Sequence, residues 1–193
     1  PSAAALDGWA ETLAPQDGGL DFGAVCARQL RATDVLDHGC AVVARDHAQA
    51  LERLAADEGL RVERRPHTGQ LVFVLSGMGP QWWGMGQQLM AASPVFREAV
   101  LACDAAFAAL TSDWSLAEEL GRDEASSRMT RTRIAQPGNF AVQVGLVRML
   151  EALGVWPDVF VGHSVGETAA AHLAGALTLE DAATVVLHRS RLQ

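Results

Sequence analysis

Ser164 stands in Gly162-His163-Ser164-Val165-Gly166-Glu167, a G-x-S-x-G pattern. A serine hydroxyl attacks carbonyl carbon well when the chain presents it on a sharp strand-to-helix turn. Small residues two before and two after let the backbone close, and the helix N-terminus favours the negative charge that develops. The flanking sequence fits that geometry: Val159-Phe160-Val161 reads as an apolar strand and the alanine-rich segment after Glu167 as a helix. Ser164 is the candidate nucleophile. Its hydroxyl is weak at neutral pH and needs a base. His163 adjoins the serine and is expected to point the other way, as a packed or backbone-bonded residue. His172 lies about two helical turns on, beyond hydrogen-bond reach, and His188 sits on a following helix. His38, His47 and His67 belong to the N-terminal part. None is a convincing base, so these 193 residues hold an incomplete triad.

The elements that must position the serine can be read from pattern. Leu71-Val72-Phe73-Val74-Leu75 is a continuous apolar run, as for a strand buried on both faces. The loop Ser76-Gly77-Met78-Gly79-Pro80-Gln81 follows it and opens a helix near Trp83 to Met90. Ser93-Pro94 starts the next helix, serine as N-cap and proline at the first helical position. The longest helix is predicted from Gly138 to Leu153, with Gly154 as its stop. Thr178 with Asp181 forms a capping box for a helix reaching the last residue, Gln193. Before all this, residues 1–68 read as a small α/β unit. It comprises helices at Ala5–Leu13, Asp21–Arg31 and His47–Ala56, and strands at Cys40–Val43 and Arg61–Glu63. The Pro- and Gly-punctuated stretch 64–69 is the domain boundary. Alternating strands and helices make parallel pairing the default. Two strong core strands are too few to cover so many helices, so the chain is read as a piece of something longer.

With 49% apolar and 20% charged residues the chain is expected to be a soluble globular protein. A net charge of −8 argues against nucleic acid or an anionic membrane as the main partner. Cys26, Cys40 and Cys103 are widely spaced, which suggests neither a disulfide framework nor a metal site and fits a reduced, cytoplasmic setting. The acidic stretch 113–124 and the arginines of 128–133 read as solvated faces. Met78, Trp82, Trp83 and Met85 read as packing beside the loop.

Taken together, Phe73 to Trp82, Gly84-Met85-Gly86, Ala135-Gln136-Pro137, Gly162 to Glu167, Gly175 to Ala182 and Arg189-Ser190-Arg191 resemble a known family. It is the acyltransferase domain of type I polyketide synthases and animal-type fatty acid synthases, related to stand-alone malonyl-CoA:ACP transacylases. The resemblance covers Leu71 to the chain end. Residues 1–68 are similar to the linker that joins a ketosynthase to such a domain. The implied fold is the N-terminal part of an α/β-hydrolase-like large subdomain with a parallel sheet. A ferredoxin-like small subdomain and the catalytic histidine are expected beyond Gln193.

The resemblance also assigns roles. Ser164 forms the acyl-enzyme, and the backbone N–H groups of Met78 and Val165 make the oxyanion hole. Many family members carry Gln where Met78 stands, and the Ser-Gly-Met-Gly form is closer to the fatty acid synthase branch. Arg189 pairs with the free carboxylate of a malonyl-type substrate, for which a planar guanidinium offers two parallel hydrogen bonds; apart from the family it would read as a solvated helix charge. Gln136 has a polar supporting role near the pocket, or else caps a helix start. Val165 leans towards malonyl over methylmalonyl. No metal or resident cofactor is implied. The partners are a CoA thioester, the phosphopantetheine thiol of an acyl carrier protein, the adjoining ketosynthase and the rest of the synthase. Two other readings remain at this level: a serine hydrolase of the esterase type, and a scaffold or fragment that is catalytically incompetent alone.

Overall fold

The computed structural model describes residues 21–32, 38–63, 69–79 and 81–193. The chain divides into two compact units, Pro1–Thr68 and Gly69–Gln193. In the first, helix α1 (Phe22–Ala32) precedes strand β1 (His38–Ala41), helix α2 (His47–Ala55) and strand β2 (Leu60–Glu63). β1 and β2 pair antiparallel, His38 opposite Glu63 and Ala41 opposite Leu60. Asp46 caps α2 through a bond from the Gln49 N–H at 2.8 Å, and Phe22 meets the His47 ring edge-on at 5.1 Å. The expected helix at 5–13 lies outside the described residues.

The second unit holds β3 (Val72–Leu75), α3 (Gln87–Ala92), α4 (Pro94–Ala108), α5 (Leu116–Leu120), α6 (Thr132–Ala152), β4 (Val159–Gly162), α7 (Gly166–Leu173) and α8 (Leu179–Leu192). β3 and β4 pair in parallel, Val72 opposite Val159 and Leu75 opposite Gly162. Strands that end side by side release their following loops at one sheet edge, where α/β folds place their sites. Phe73 and Phe160 meet edge to face at 6.0 Å on the helix-covered side. The opposite side is open, Val74 being 70% exposed. Among the described residues the apolar run of β3 is therefore covered on one face, where the sequence reading expected cover on both.

Behind the sheet, α4, α6, α7 and α8 enclose a core around Phe96, Phe107, Phe140, Leu116, Leu120 and Leu187. Several boundaries differ from the sequence reading, for identifiable reasons. The helix after the 76–81 loop begins at Gln87, because Gly86 takes a left-handed φ of 81° and residues 82–86 turn instead. The long helix begins at Thr132, six residues before the predicted start. Pro137 removes only one ladder bond, to the Arg133 carbonyl, and the burial of Ile134, Ala135, Phe140 and Ala141 on the same helix outweighs it. Its end is as predicted. Gly154 has φ 82°, its N–H bonds Glu151 O, and the Val155 N–H bonds Leu150 O, a closed Schellman turn. Ser93 and Thr178 cap α4 and α8 through their hydroxyls.

The acidic stretch is not a solvated face throughout. Glu119 is 1% exposed. Arg122 Nε bonds it at 2.8 Å, Arg128 Nε at 2.9 Å, and Arg128 Nη2 closes a two-point fork. Burial works against ionisation, but the hydrogen bonds from Arg128 and Arg122, and then their charges, hold the carboxyl below its usual range. A depressed native pKa gives stability that is full above the unfolded value, near 4.3, and is lost as pH falls through the native one. The thermal midpoint is therefore expected to be flat above about pH 5 and to drop below about pH 4, while Glu119→Gln loses roughly 3 kcal/mol at neutral pH and shows a shallower acid limb. An acid limb identical in Glu119→Gln and wild type, followed by circular dichroism, removes Glu119 from that role.

Candidate active site

Ser164 sits between β4 and α7, at the edge where β3 also ends. Its φ is 56°, in the left-handed region that a non-glycine residue enters only under constraint. The constraint is visible on both sides. A Cβ on Gly162 would stand 2.3 Å from Glu167 Cα, and one on Gly166 would stand 2.1 Å from Leu75 O. The turn can close against α7 and β3 only because both positions lack side chains. The Leu75 carbonyl accepts the His163 N–H at 2.9 Å, which ties the elbow to the end of β3.

Arg189, half-buried on α8, reaches back across the elbow. Its Nη2 donates to Ser164 Oγ at 3.0 Å and its Nη1 to the Ser164 carbonyl at 2.9 Å. Among the described residues no carboxylate pairs with it. A guanidinium beside a serine hydroxyl, with no carboxylate partner among the described residues, can dock an anion there.

The 76–81 loop lies against the same turn: a Cβ on Gly77 would be 3.1 Å from Ser164 Cβ. Among the described residues, neither the Met78 N–H nor the Val165 N–H has an acceptor. Val165 is buried at the N-terminus of α7, while Met78 is 37% exposed. Of the cluster around that loop, Met85 is buried and Trp82 is 55% exposed, stacked edge-on against Trp83 at 5.5 Å. Packing therefore describes Met85 and only part of Trp83.

Gln136 is fully buried within α6, past its first turn, so it is not a helix-start cap. Its Nε2 donates at 2.8 Å to Oε1 of Gln193, the residue that follows α8, four positions after Arg189. Gln136 thus touches the end of the arginine-bearing helix and, within the described residues, makes no hydrogen bond to Ser164. The histidines sort as follows. His163 is exposed and bonded through its backbone, its Nδ1 3.0 Å from where a Cβ on Gly77 would stand; His172 Nδ1 lies 3.2 Å from Leu177 O beside Phe140; His188 is exposed. No described histidine hydrogen-bonds Ser164 Oγ. Two residues that the sequence reading passed over also reach the loop: Gln143 donates to Ser76 O at 2.7 Å, and Asn139 contacts Gln81. Polar side chains spaced one turn apart on a mostly apolar helix were the available signal.

No group of three His, Cys, Asp or Glu among the described residues is placed to hold a metal ion. No described helix is long and apolar enough to cross a membrane.

The profile of the acyl transferase domain family matches residues 72–193. Mycoketide-CoA synthase of Mycobacterium tuberculosis is 41% identical over 200 aligned positions, covering 99% of this chain and 5% of that protein. Among solved structures, the acyltransferase domain from module 8 of the salinomycin polyketide synthase superposes with a TM-score of 0.83 at 34% identity, covering 97% of this chain and 46% of that one. The acyl transferase domain of SpnD, solved in complex with 2-(pent-4-yn-1-yl)malonyl, superposes with a TM-score of 0.71 at 31% identity, covering 98% of this chain and 45% of that one. The chain thus spans under half of the solved domains and a small fraction of the synthase it matches.

Proposed function

The chain belongs to the acyl transferase domain family of polyketide synthases, and from that premise we propose that Ser164 accepts a malonyl-type acyl group from CoA and passes it to the phosphopantetheine thiol of a carrier protein. The observation that carries this reading is the Arg189 guanidinium bonded to Ser164 Oγ at 3.0 Å.

In the first half-reaction Oγ attacks the thioester carbonyl and gives its proton to a base. The carbonyl oxygen becomes an oxyanion facing the Met78 and Val165 N–H groups; one such donor is worth roughly 3 kcal/mol. Collapse breaks the carbon–sulfur bond and releases CoA, protonated at sulfur. In the second half-reaction the carrier thiol attacks the ester, and the proton returns to Oγ. The base is a histidine that family members supply beyond the stretch matched here, so these residues alone transfer slowly. Arg189 binds the free carboxylate, which draws malonyl-type groups over plain acyl chains. The partners are accordingly a carrier protein and the neighbouring synthase domains, and residues 1–68 form the ketosynthase-to-acyltransferase linker. Val165 supports malonyl over its methylated relative.

Arg189→Ala in the full-length protein is expected to lower kcat/KM for malonyl-CoA by about 100-fold, a loss of roughly 3 kcal/mol, and so to remove its preference over acetyl-CoA. Competition between the two thioesters, read by intact mass, measures this. A preserved malonyl preference, or hydrolysis of simple esters indifferent to the change, favours the esterase reading instead.

A further inference from the structure

The oxyanion loop is held from behind at two points. Gln143, half-buried on α6, donates its Nε2 to the Ser76 carbonyl at 2.7 Å and lies 3.4 Å from Ser76 Oγ. At the other end, Gln81 Oε1 accepts the Gly79 N–H at 2.7 Å and is itself met by Asn139 Nδ2 at 3.5 Å. Asn139 and Gln143 are one helical turn apart, on one face of α6.

The peptide units involved give this arrangement its meaning. The Ser76 carbonyl belongs to the 76–77 peptide, and the Gly79 N–H belongs to the 78–79 peptide. Between these two held planes lies a single peptide, 77–78, and its N–H is that of Met78. With planar peptides and two soft dihedrals per residue, fixing both neighbours narrows the directions in which that N–H can point. Gln143 also keeps its own Oε1 buried with no partner among the described residues. An orphaned buried acceptor destabilises the fold, so an apolar side chain would serve α6 better as packing. The amide's one evident task is the loop.

We propose that Gln143 and Asn139 are positioning residues that aim the Met78 N–H at the reacting oxygen. This rests on Met78 serving as an oxyanion donor in the acyl transfer proposed above. Neither residue need touch substrate, so the signature is a loss in kcat with KM preserved.

The test uses the full-length protein with Gln143→Met, which fills the space without an amide, and Gln143→Glu, which keeps the shape but turns an acceptor towards the Ser76 carbonyl. Single-turnover acylation of Ser164 by malonyl-CoA is expected to fall about 10-fold in the first and about 100-fold in the second, with KM within about twofold. Hydrogen exchange at the Gly79 N–H, the loop amide that is hydrogen-bonded, is expected to speed up roughly tenfold in both, with α7 unchanged. Unchanged exchange in that loop overturns the proposal. So does an unchanged kcat in a variant whose loop exchange has risen, or a loss confined to KM. Should Gln143→Glu not fold, Gln143→Met decides. If wild type forms no malonyl adduct at all, the acyl transfer reading falls, and loop exchange alone decides whether α6 holds the loop.

Discussion

Ser164→Ala is expected to abolish the malonyl adduct in the full-length protein and to lower transfer to the carrier thiol by roughly a millionfold, the scale on which removing a serine nucleophile acts. On the proposed mechanism the residual rate is expected to come from binding and the Met78 and Val165 N–H groups, which work without the hydroxyl. The substitution has a complication that the structure makes explicit. Position 164 holds φ at 56°, where alanine keeps the strain of about 1 kcal/mol that serine already bears and glycine does not. Ser164→Gly is therefore the companion variant, equally inactive but at least as stable as wild type. Intact mass after exposure to malonyl-CoA reads both. An adduct that persists in either moves the nucleophile elsewhere.

Gly166→Ala is expected to be the most damaging small substitution in the second unit. The added Cβ would meet Leu75 O at 2.1 Å, Leu75 C at 2.6 Å and Ser76 O at 2.8 Å. All three are backbone atoms, which cannot rotate aside. Relief requires β3 to move away from the elbow, and this breaks the bond between His163 N–H and Leu75 O and shifts the oxyanion loop. A loss of about 3 kcal/mol or more in urea unfolding is expected, with acylation down at least about 100-fold. Gly175→Ala is the control. Unlike Gly166 it has a positive φ, 79°, but nothing lies within 4 Å of its added Cβ, so only the conformational term of about 1 kcal/mol applies. Equal effects of the two substitutions would show that crowding at Gly166 is not what shapes the turn.

The elbow was legible from sequence because its glycines are demanded by local geometry, and local demands leave local signatures. The caps at Ser93 and Thr178 and the stop at Gly154 were legible for the same reason. The start of α6 was not, because a proline reads as a boundary while the burial that overrides it comes from distant residues. Glu119 was misread likewise. A carboxylate in an acidic stretch looks solvated until folding brings Arg122 and Arg128 onto it. The bond from Arg189 to Ser164 was not foreseen: the family resemblance gave Arg189 to a substrate carboxylate, and spacing along the chain says little about how a guanidinium on one helix crosses a turn. Asn139 and Gln143, one turn apart on a mostly apolar helix, left a signal in the sequence, but what the two amides hold is visible only once folding sets the loop beside them.

The parallel pairing of β3 with β4 has a consequence for timing. The two strands lie far apart in the chain, with α3 to α6 between them, so their union must wait for that intervening stretch to be made and packed. The guanidinium that grips Ser164 arrives later still, on α8. During synthesis on the ribosome Ser164 therefore follows the 76–81 loop but precedes Arg189, and it lacks that guanidinium until α8 has been made. The contact between guanidinium and serine is thus a late product of folding, completed only when the last helix packs against the elbow.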